Sequence, residues 1–105
     1  MALFGKRRGR PKESSRDAQR ATHEHLRSFV SEQAGVEAFI EPATHVTPTT
    51  VVLVALTGEW TRRRVPDARA AREIAKSLGI PVYDVQLTGY PRRMREWSAR
   101  RNGQG

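Results

Sequence analysis

The sequence predicts an α+β fold, in which a mixed β-sheet carries helices packed largely on one face and follows a basic, disordered N-terminal arm. Residues 50–56 (TVVLVAL) form a β-branched, apolar run that is typical of a buried central strand. Residues 67–79 carry an apolar helical stripe between a capping aspartate and a closing glycine. Residues 80–87 form another strand directly after that helix. This order predicts a right-handed crossover between parallel strands.

Length and composition predict a single domain. The chain of 105 residues has room for one core. We expect residues 1–13 to form the disordered arm, 14–98 the folded domain and 99–105 a disordered tail. The absence of cysteine excludes disulfides, thiolate metal sites and cysteine nucleophiles, and it agrees with a cytoplasmic protein. No apolar run approaches the roughly 20 residues that span a bilayer, so we expect no membrane span.

The domain is predicted to begin with a helix and a short strand. Apolar residues recur at helical spacing over residues 15–33, after a pair of serines that can cap a helix. Residues 36–41 form an apolar strand that ends at Pro42. With the segments that follow, the predicted order is β-β-β-α-β after the N-terminal helix.

The central strand is predicted to turn back into an arginine-rich strand. A Thr-Gly-Glu turn leads into residues 60–65, and strand alternation places Trp60, Arg62 and Arg64 on one face. Charge that protects an edge strand from aggregation explains these arginines without any ligand. Alternatively, an aromatic ring beside cations can stack a nucleobase while the cations hold phosphates. Trp60 fits the protein core equally well.

The C-terminal segment predicts a basic helix. A Gly-Tyr-Pro turn precedes residues 92–101, in which Met94 and Trp97 form an i, i+3 pair that can dock on the core. Arg92 and Arg93 could extend a basic surface from the arginine-rich strand. Cations late in this helix also suit its dipole and need no ligand.

Charge is spread unevenly over the chain. The net charge is +8, with +5 in residues 1–12, −4 in residues 13–60, +3 in residues 61–91 and +4 in residues 92–105. Basic ends around an acidic middle favour an anionic partner such as nucleic acid, ribosome or anionic lipid.

The basic head contains a motif that resembles an AT-hook, a peptide that lies in the minor groove of A·T-rich DNA. Its glycine allows close approach to the groove floor, its proline keeps the segment extended, and arginines can enter a narrow groove. The alternative is a solvated basic tail. The residues predicted to contact nucleic acid here are Lys6, Arg7, Arg8, Gly9, Arg10, Pro11 and Lys12.

Catalytic and metal-binding patterns are weak. The strand-to-helix passage at residues 64–69 lacks the glycines of a dinucleotide-binding turn, so we predict no cofactor and no catalytic residues. His23 and His25 are two residues apart on a helix and point away from each other. Nothing acidic is spaced to complete a site with His45, so we predict no metal and expect solvated histidines.

Roughly half of the chain resembles a group of small basic actinobacterial proteins. The resemblance lies in residues 58–66 (GEWTRRRVP), 78–84 (LGIPVYD) and 89–94 (GYPRRM). Some members of the group carry a generic oxidoreductase label. The resemblance implies a shared fold unit but no mechanism.

These observations predict a non-enzymatic accessory protein that binds DNA or RNA through its basic arm and an arginine-rich surface. Two alternatives are a protein–protein adaptor and a small enzyme without a recognisable cofactor motif. A continuous positive face would favour binding, and a closed polar pocket would favour catalysis.

Overall fold

The structure is a computed structural model that describes the backbone of residues 2–103 and the side chains of residues 15–102. The elements in chain order are α1 (Ala2–Glu32), β1 (Glu37–Glu41), β2 (Thr50–Val54), β3 (Trp60–Arg64), α2 (Ala68–Leu78), β4 (Val82–Asp84), α3 (Val85–Thr88) and α4 (Arg92–Gly103). They form a small α+β domain with a mixed sheet, as predicted.

The four strands form one sheet in the order β3-β2-β1-β4. β2 pairs antiparallel with both β1 and β3, while β4 pairs parallel with β1. β2 is therefore an inner strand, and its residues from Val51 to Val54 are at most 1 % exposed. Its β-branched, apolar sequence predicted this position. β3 forms one edge of the sheet, where its arginines reach solvent.

The inner face of the sheet, formed by side chains such as Ile40, Val51 and Leu53, packs against α1 and α2. From α1, Leu26 and Phe29 enter this core, and α2 contributes small alanines that allow the helix to approach closely. Capping explains the bounds of α2. The Asp67 carboxylate accepts a hydrogen bond from the Ala70 amide, and Gly79 ends the helix in the left-handed conformation.

The outer face of the sheet carries a second, smaller core beneath α4. Met94 of α4 is 7 % exposed and packs with Phe39, Val52 and Val54, with Trp60 and Tyr90 at the margin. This contact confirms the predicted docking of Met94. Gly58, in the β2–β3 turn, makes the close approach possible, because a Cβ there would lie 2.1 Å from the backbone oxygen of Arg93.

Three predicted segments differ in the structure. The tail predicted to be disordered over residues 99–105 is helical as far as Gly103, where α4 ends. The strand predicted over residues 80–87 ends at Asp84, because the Asp84 carboxylate accepts from the Gln86 amide at 2.7 Å and starts the short helix α3. The bounds of α1 begin at Ala2, ahead of the predicted start at residue 15. The side chains of the predicted arm lie outside the described residues, and its disorder stays a prediction.

Candidate functional site

The outer face of the sheet holds a polar corner beside its apolar core. Strand register places Glu41 beside Thr50 and Thr50 beside Arg64 in one row. The next row on this face contains Arg62. Alternation along β3 therefore carries Trp60, Arg62 and Arg64 to the outer face, as predicted.

Glu41 and Arg62 form a bidentate ion pair at this corner. The Nε and Nη2 groups of Arg62 donate to the two carboxylate oxygens at 2.7 and 2.9 Å. Thr50 Oγ1 donates to the same carboxylate at 2.5 Å, and the Tyr90 hydroxyl also donates to it. The carboxylate is 16 % exposed, so these four hydrogen bonds compensate for its loss of water.

The charge state of the corner follows from these contacts. Burial alone would raise the pKa of Glu41, but hydrogen bonds from Arg62, Thr50 and Tyr90 hold this pKa below its ordinary value. The hydrogen bond to Glu41 raises the pKa of Arg62. Burial, followed by the bond to Glu41, raises the pKa of Tyr90. At neutral pH the corner therefore holds a carboxylate, a guanidinium and a protonated phenol.

A row of cationic and aromatic side chains runs from this corner to α4. The Arg62 guanidinium lies 5.0 Å from the centroid of the Trp60 ring, and the Trp60 indole N–H donates to Ser98 Oγ at 2.8 Å. One helical turn after Ser98, the Arg101 guanidinium lies 4.7 Å from the Trp97 ring. We call the row formed by Arg64, Arg62, Trp60 and Arg101 the basic strip.

The two arginines that begin α4 have different environments. Arg93 donates from Nε to the Ala55 carbonyl at 2.8 Å and from Nη2 to Glu37 at 2.7 Å, with 28 % of its side chain exposed. It therefore holds α4 against the sheet, and its charge is already paired with Glu37. Arg92 is 83 % exposed and pairs with Glu96 one turn away. The side chains of residues 6–12 lie outside the described part.

The helical histidines are half-buried on the inner side and both make side-chain hydrogen bonds, so they are less exposed to solvent than predicted. His25 Nδ1 lies 3.3 Å from an Arg63 guanidinium nitrogen, which can only donate. His25 therefore donates from Nε2 to Thr61 Oγ1, at 2.6 Å. His23 lies 3.3 Å from Ser77 of α2. Within residues 15–102, no three histidine, aspartate or glutamate side chains group as metal ligands.

Two open grooves flank β3. One, of about 620 Å³, lies on the outer side between β3, α3 and the loop of residues 42–49. The other, of about 590 Å³, lies between α1 and α2 on the inner side. Arg64 lines both grooves. The outer groove includes the Glu41–Arg62 corner.

Glu41, Tyr90 and Ser98 are site residues that the sequence did not predict. Glu41 reads only as the last residue of a strand, and its partners Arg62 and Tyr90 are 21 and 49 positions away. One available signal is the high cost of burying an unpaired charge, which requires a partly buried arginine to have a partner. Strand alternation places Glu41 on the same sheet face as that arginine.

Comparisons of the chain with known protein families, curated proteins and solved structures find no match. Among the described residues, no helix is both long and apolar enough to cross a lipid bilayer. The geometry of the outer face and the charge of the chain are therefore the features from which function can be inferred.

Proposed function

We propose that this protein is a non-enzymatic accessory protein that binds nucleic acid through the basic strip, with the N-terminal arm as a second contact. The observation that carries the proposal is the pairing of arginines with tryptophan rings in the strip and in α4. Guanidinium groups at Arg62 and Arg101 each lie over an indole ring, and Arg64 extends the row along the edge of the sheet.

The chemistry of the strip suits a nucleic-acid strand. Exposed arginines contact phosphates and release counterions, while aromatic rings and guanidinium planes stack on bases of any sequence. Because Glu41 offsets the charge of Arg62, the net attraction comes chiefly from Arg64, Arg101 and the arm. The position of β3 at the sheet edge leaves this row accessible.

The arm adds a separate expectation. Five cations without an acid in residues 1–12 supply affinity that does not depend on base sequence. If the Arg8-Gly9-Arg10-Pro11 core acts as an AT-hook, it adds a preference for A·T-rich minor grooves. Replacing both arginines with lysine would keep the charge but lose the planar, weakly hydrated guanidinium, and the preference should shrink while overall binding survives.

Charge reversal tests the strip. We expect the double variant Arg64→Glu/Arg101→Glu to bind labelled single strands and duplexes at least about tenfold more weakly than the wild type in fluorescence anisotropy at low salt. The matched control is Arg69→Glu/Arg72→Glu, which makes the same charge change on exposed positions of α2. Equal losses in both variants would show that only net charge matters. Absence of wild-type binding to DNA and RNA would contradict the proposal and favour an acidic protein partner.

A further inference from the structure

The outer groove is lined by polar groups from two parts of the fold. Arg62 and Arg64 come from β3, and Thr44 and Thr47 come from the loop at residues 42–49. The two threonine hydroxyls are 2.7 Å apart, and the Thr44 hydroxyl also accepts from the Thr47 amide at 3.1 Å, which organises the loop. Arginine and hydroxyl donors that face one cavity are suited to an anion with several oxygens.

Arg62 is held in a fixed orientation within this groove. Glu41 occupies the edge of its guanidinium formed by Nε and Nη2, and the Trp60 ring lies against its plane. The terminal edge, formed by Nη1 and Nη2, pairs with no carboxylate other than Glu41 among the described residues, although the Tyr90 hydroxyl lies beside the guanidinium. Its parallel N–H bonds match two oxygens of a phosphoryl group. Because the side chain is already ordered, binding there loses less conformational entropy than binding to a free arginine.

Glu41 does not cancel the attraction of the groove for an anion. Its carboxylate already accepts hydrogen bonds from Thr50, Arg62 and Tyr90, and it is largely covered by them. Arg64 has no carboxylate partner among the described residues and is exposed at the rim. The groove therefore combines one ordered guanidinium with one exposed, unneutralised cation.

We propose that the outer groove is a phosphoryl-binding site, with Arg62, Arg64 and the Thr47 hydroxyl as its ligands and Glu41 as the residue that positions Arg62. In its full form the inference rests on the proposed function, because the phosphoryl group belongs to the bound nucleic-acid strand. The same chemistry would hold free phosphate or a mononucleotide, and the experiment separates these sources.

Glu41→Gln gives the sharpest test, because two explanations predict opposite results. If the surface acts only through its charge, removing an acid strengthens anion binding. If Glu41 positions Arg62, the variant binds a short labelled single strand several-fold more weakly although its net charge has risen. The matched control Glu73→Gln makes the same charge change on α2, where Glu73 pairs only with exposed Arg69, and should bind as tightly as the wild type or slightly tighter.

Two further variants keep the test decisive if Glu41→Gln does not fold. Arg62→Lys keeps the charge but lacks a second guanidinium edge, so it should also bind several-fold more weakly. Thr47→Val removes an exposed loop hydroxyl that bonds to Thr44, so it should weaken binding with only a small change in the melting temperature. If every folded variant among these three binds the strand as the wild type does, the phosphoryl site is wrong while the proposed function stands.

A titration with inorganic phosphate is the second part of the test. In amide and guanidinium correlation spectra of the full chain, phosphate should shift the Arg62 Nε–H signal and the Thr44 and Thr47 amides. These shifts without strand binding would refute the proposed function and keep the groove as a site for a free phosphoryl compound. Strand binding with shifts confined to residues outside the groove would overturn the site, and neither strand binding nor shifts would overturn both proposals.

Discussion

Among the glycines of residues 15–102, Gly58 is the one at which a side chain would meet the closest contact. Its φ of +98° is rare for residues with a side chain, and a Cβ would meet the backbone oxygen of Arg93 at 2.1 Å. Gly79 has a similar φ of +70°, but a Cβ there meets nothing within 4 Å. Replacing Gly79 therefore adds backbone strain alone, whereas replacing Gly58 adds backbone strain and a steric clash.

We expect Gly79→Ala to lower the free energy of unfolding by about 1–2 kcal/mol, the cost of placing a side chain in the left-handed region. Gly58→Ala should lose about 3 kcal/mol or more, because α4 must also move away from the β2–β3 turn. Urea unfolding of the two variants measures both losses. Equal losses would show that α4 does not pack against Gly58 in solution.

His25 makes stability depend on pH. Burial, followed by repulsion from Arg63, lowers the pKa of His25 below its ordinary value of 6.5. The unfolded chain therefore binds more protons than the folded protein as pH falls through this range, and the free energy of unfolding falls with it. The protein should be more stable above pH 6.5 than below it.

The expected result is that His25→Gln loses less stability than the wild type when the pH is lowered through 6.5. His45→Gln is the matched control, because His45 is exposed in a loop. Its pH dependence should follow the wild type in urea unfolding at several pH values. If the free energy of unfolding of His25→Gln depends on pH as strongly as that of the wild type, other groups cause the pH dependence.

Among the elements, α4 is held on the sheet by Arg93 as well as by its apolar contacts. Arg93 bonds to Glu37 and to the Ala55 carbonyl, so its removal leaves a partly buried carboxylate without its cation. We expect Arg93→Met to lower the free energy of unfolding by about 2–3 kcal/mol. Arg92→Met, which removes an exposed pair with Glu96, should cost about 0.5 kcal/mol or less.

Urea unfolding followed by tryptophan fluorescence measures both variants, because both tryptophans of the chain lie at or in α4. In Arg93→Met the emission should also shift to longer wavelength before global unfolding, as α4 separates from the sheet. The same loss of stability in both variants would mean that α4 is held by apolar packing alone.

Elements whose own residues strongly favour one conformation could be predicted from the sequence. Segments in which two conformations compete could not. The run from Val51 to Val54 has few conformations open to it except a buried strand, and it forms one. Residues 85–88 alternate like a strand, yet the Asp84 carboxylate bonds the Gln86 amide and starts a helix instead. Alternation alone does not reveal such a local capping bond.

The candidate site was predictable only where it follows from alternation along one strand. The common face of Trp60, Arg62 and Arg64 follows from period-two geometry. The contact between Arg62 and Glu41 depends on β2 lying between their strands, which is a property of sheet topology. Arg92 faces solvent and Arg93 faces the sheet because of the orientation of α4 about its axis. Nothing in the sequence distinguishes these two adjacent arginines.

At the scale of the whole molecule, the two basic ends and the acidic middle form the pattern that the proposed function explains. The acidic residues Glu37 and Glu41 of the middle are used internally, to hold Arg93 and Arg62. Arg64 and Arg101 then remain exposed, and the sequence adds five cations in residues 1–12. Binding should therefore be electrostatic in origin and strongly dependent on salt.

A salt titration of a labelled A·T-rich duplex with the full chain tests directly whether binding is electrostatic. We predict that the observed binding constant falls between about 50 and 200 mM salt with a log–log slope of about −6, because the arm neutralises roughly five phosphates and Arg64 and Arg101 neutralise about one each. In Arg64→Glu/Arg101→Glu the slope should be smaller in magnitude by about 2, as two phosphate contacts disappear. Absence of binding at the lowest salt, or a slope near zero, would contradict the account.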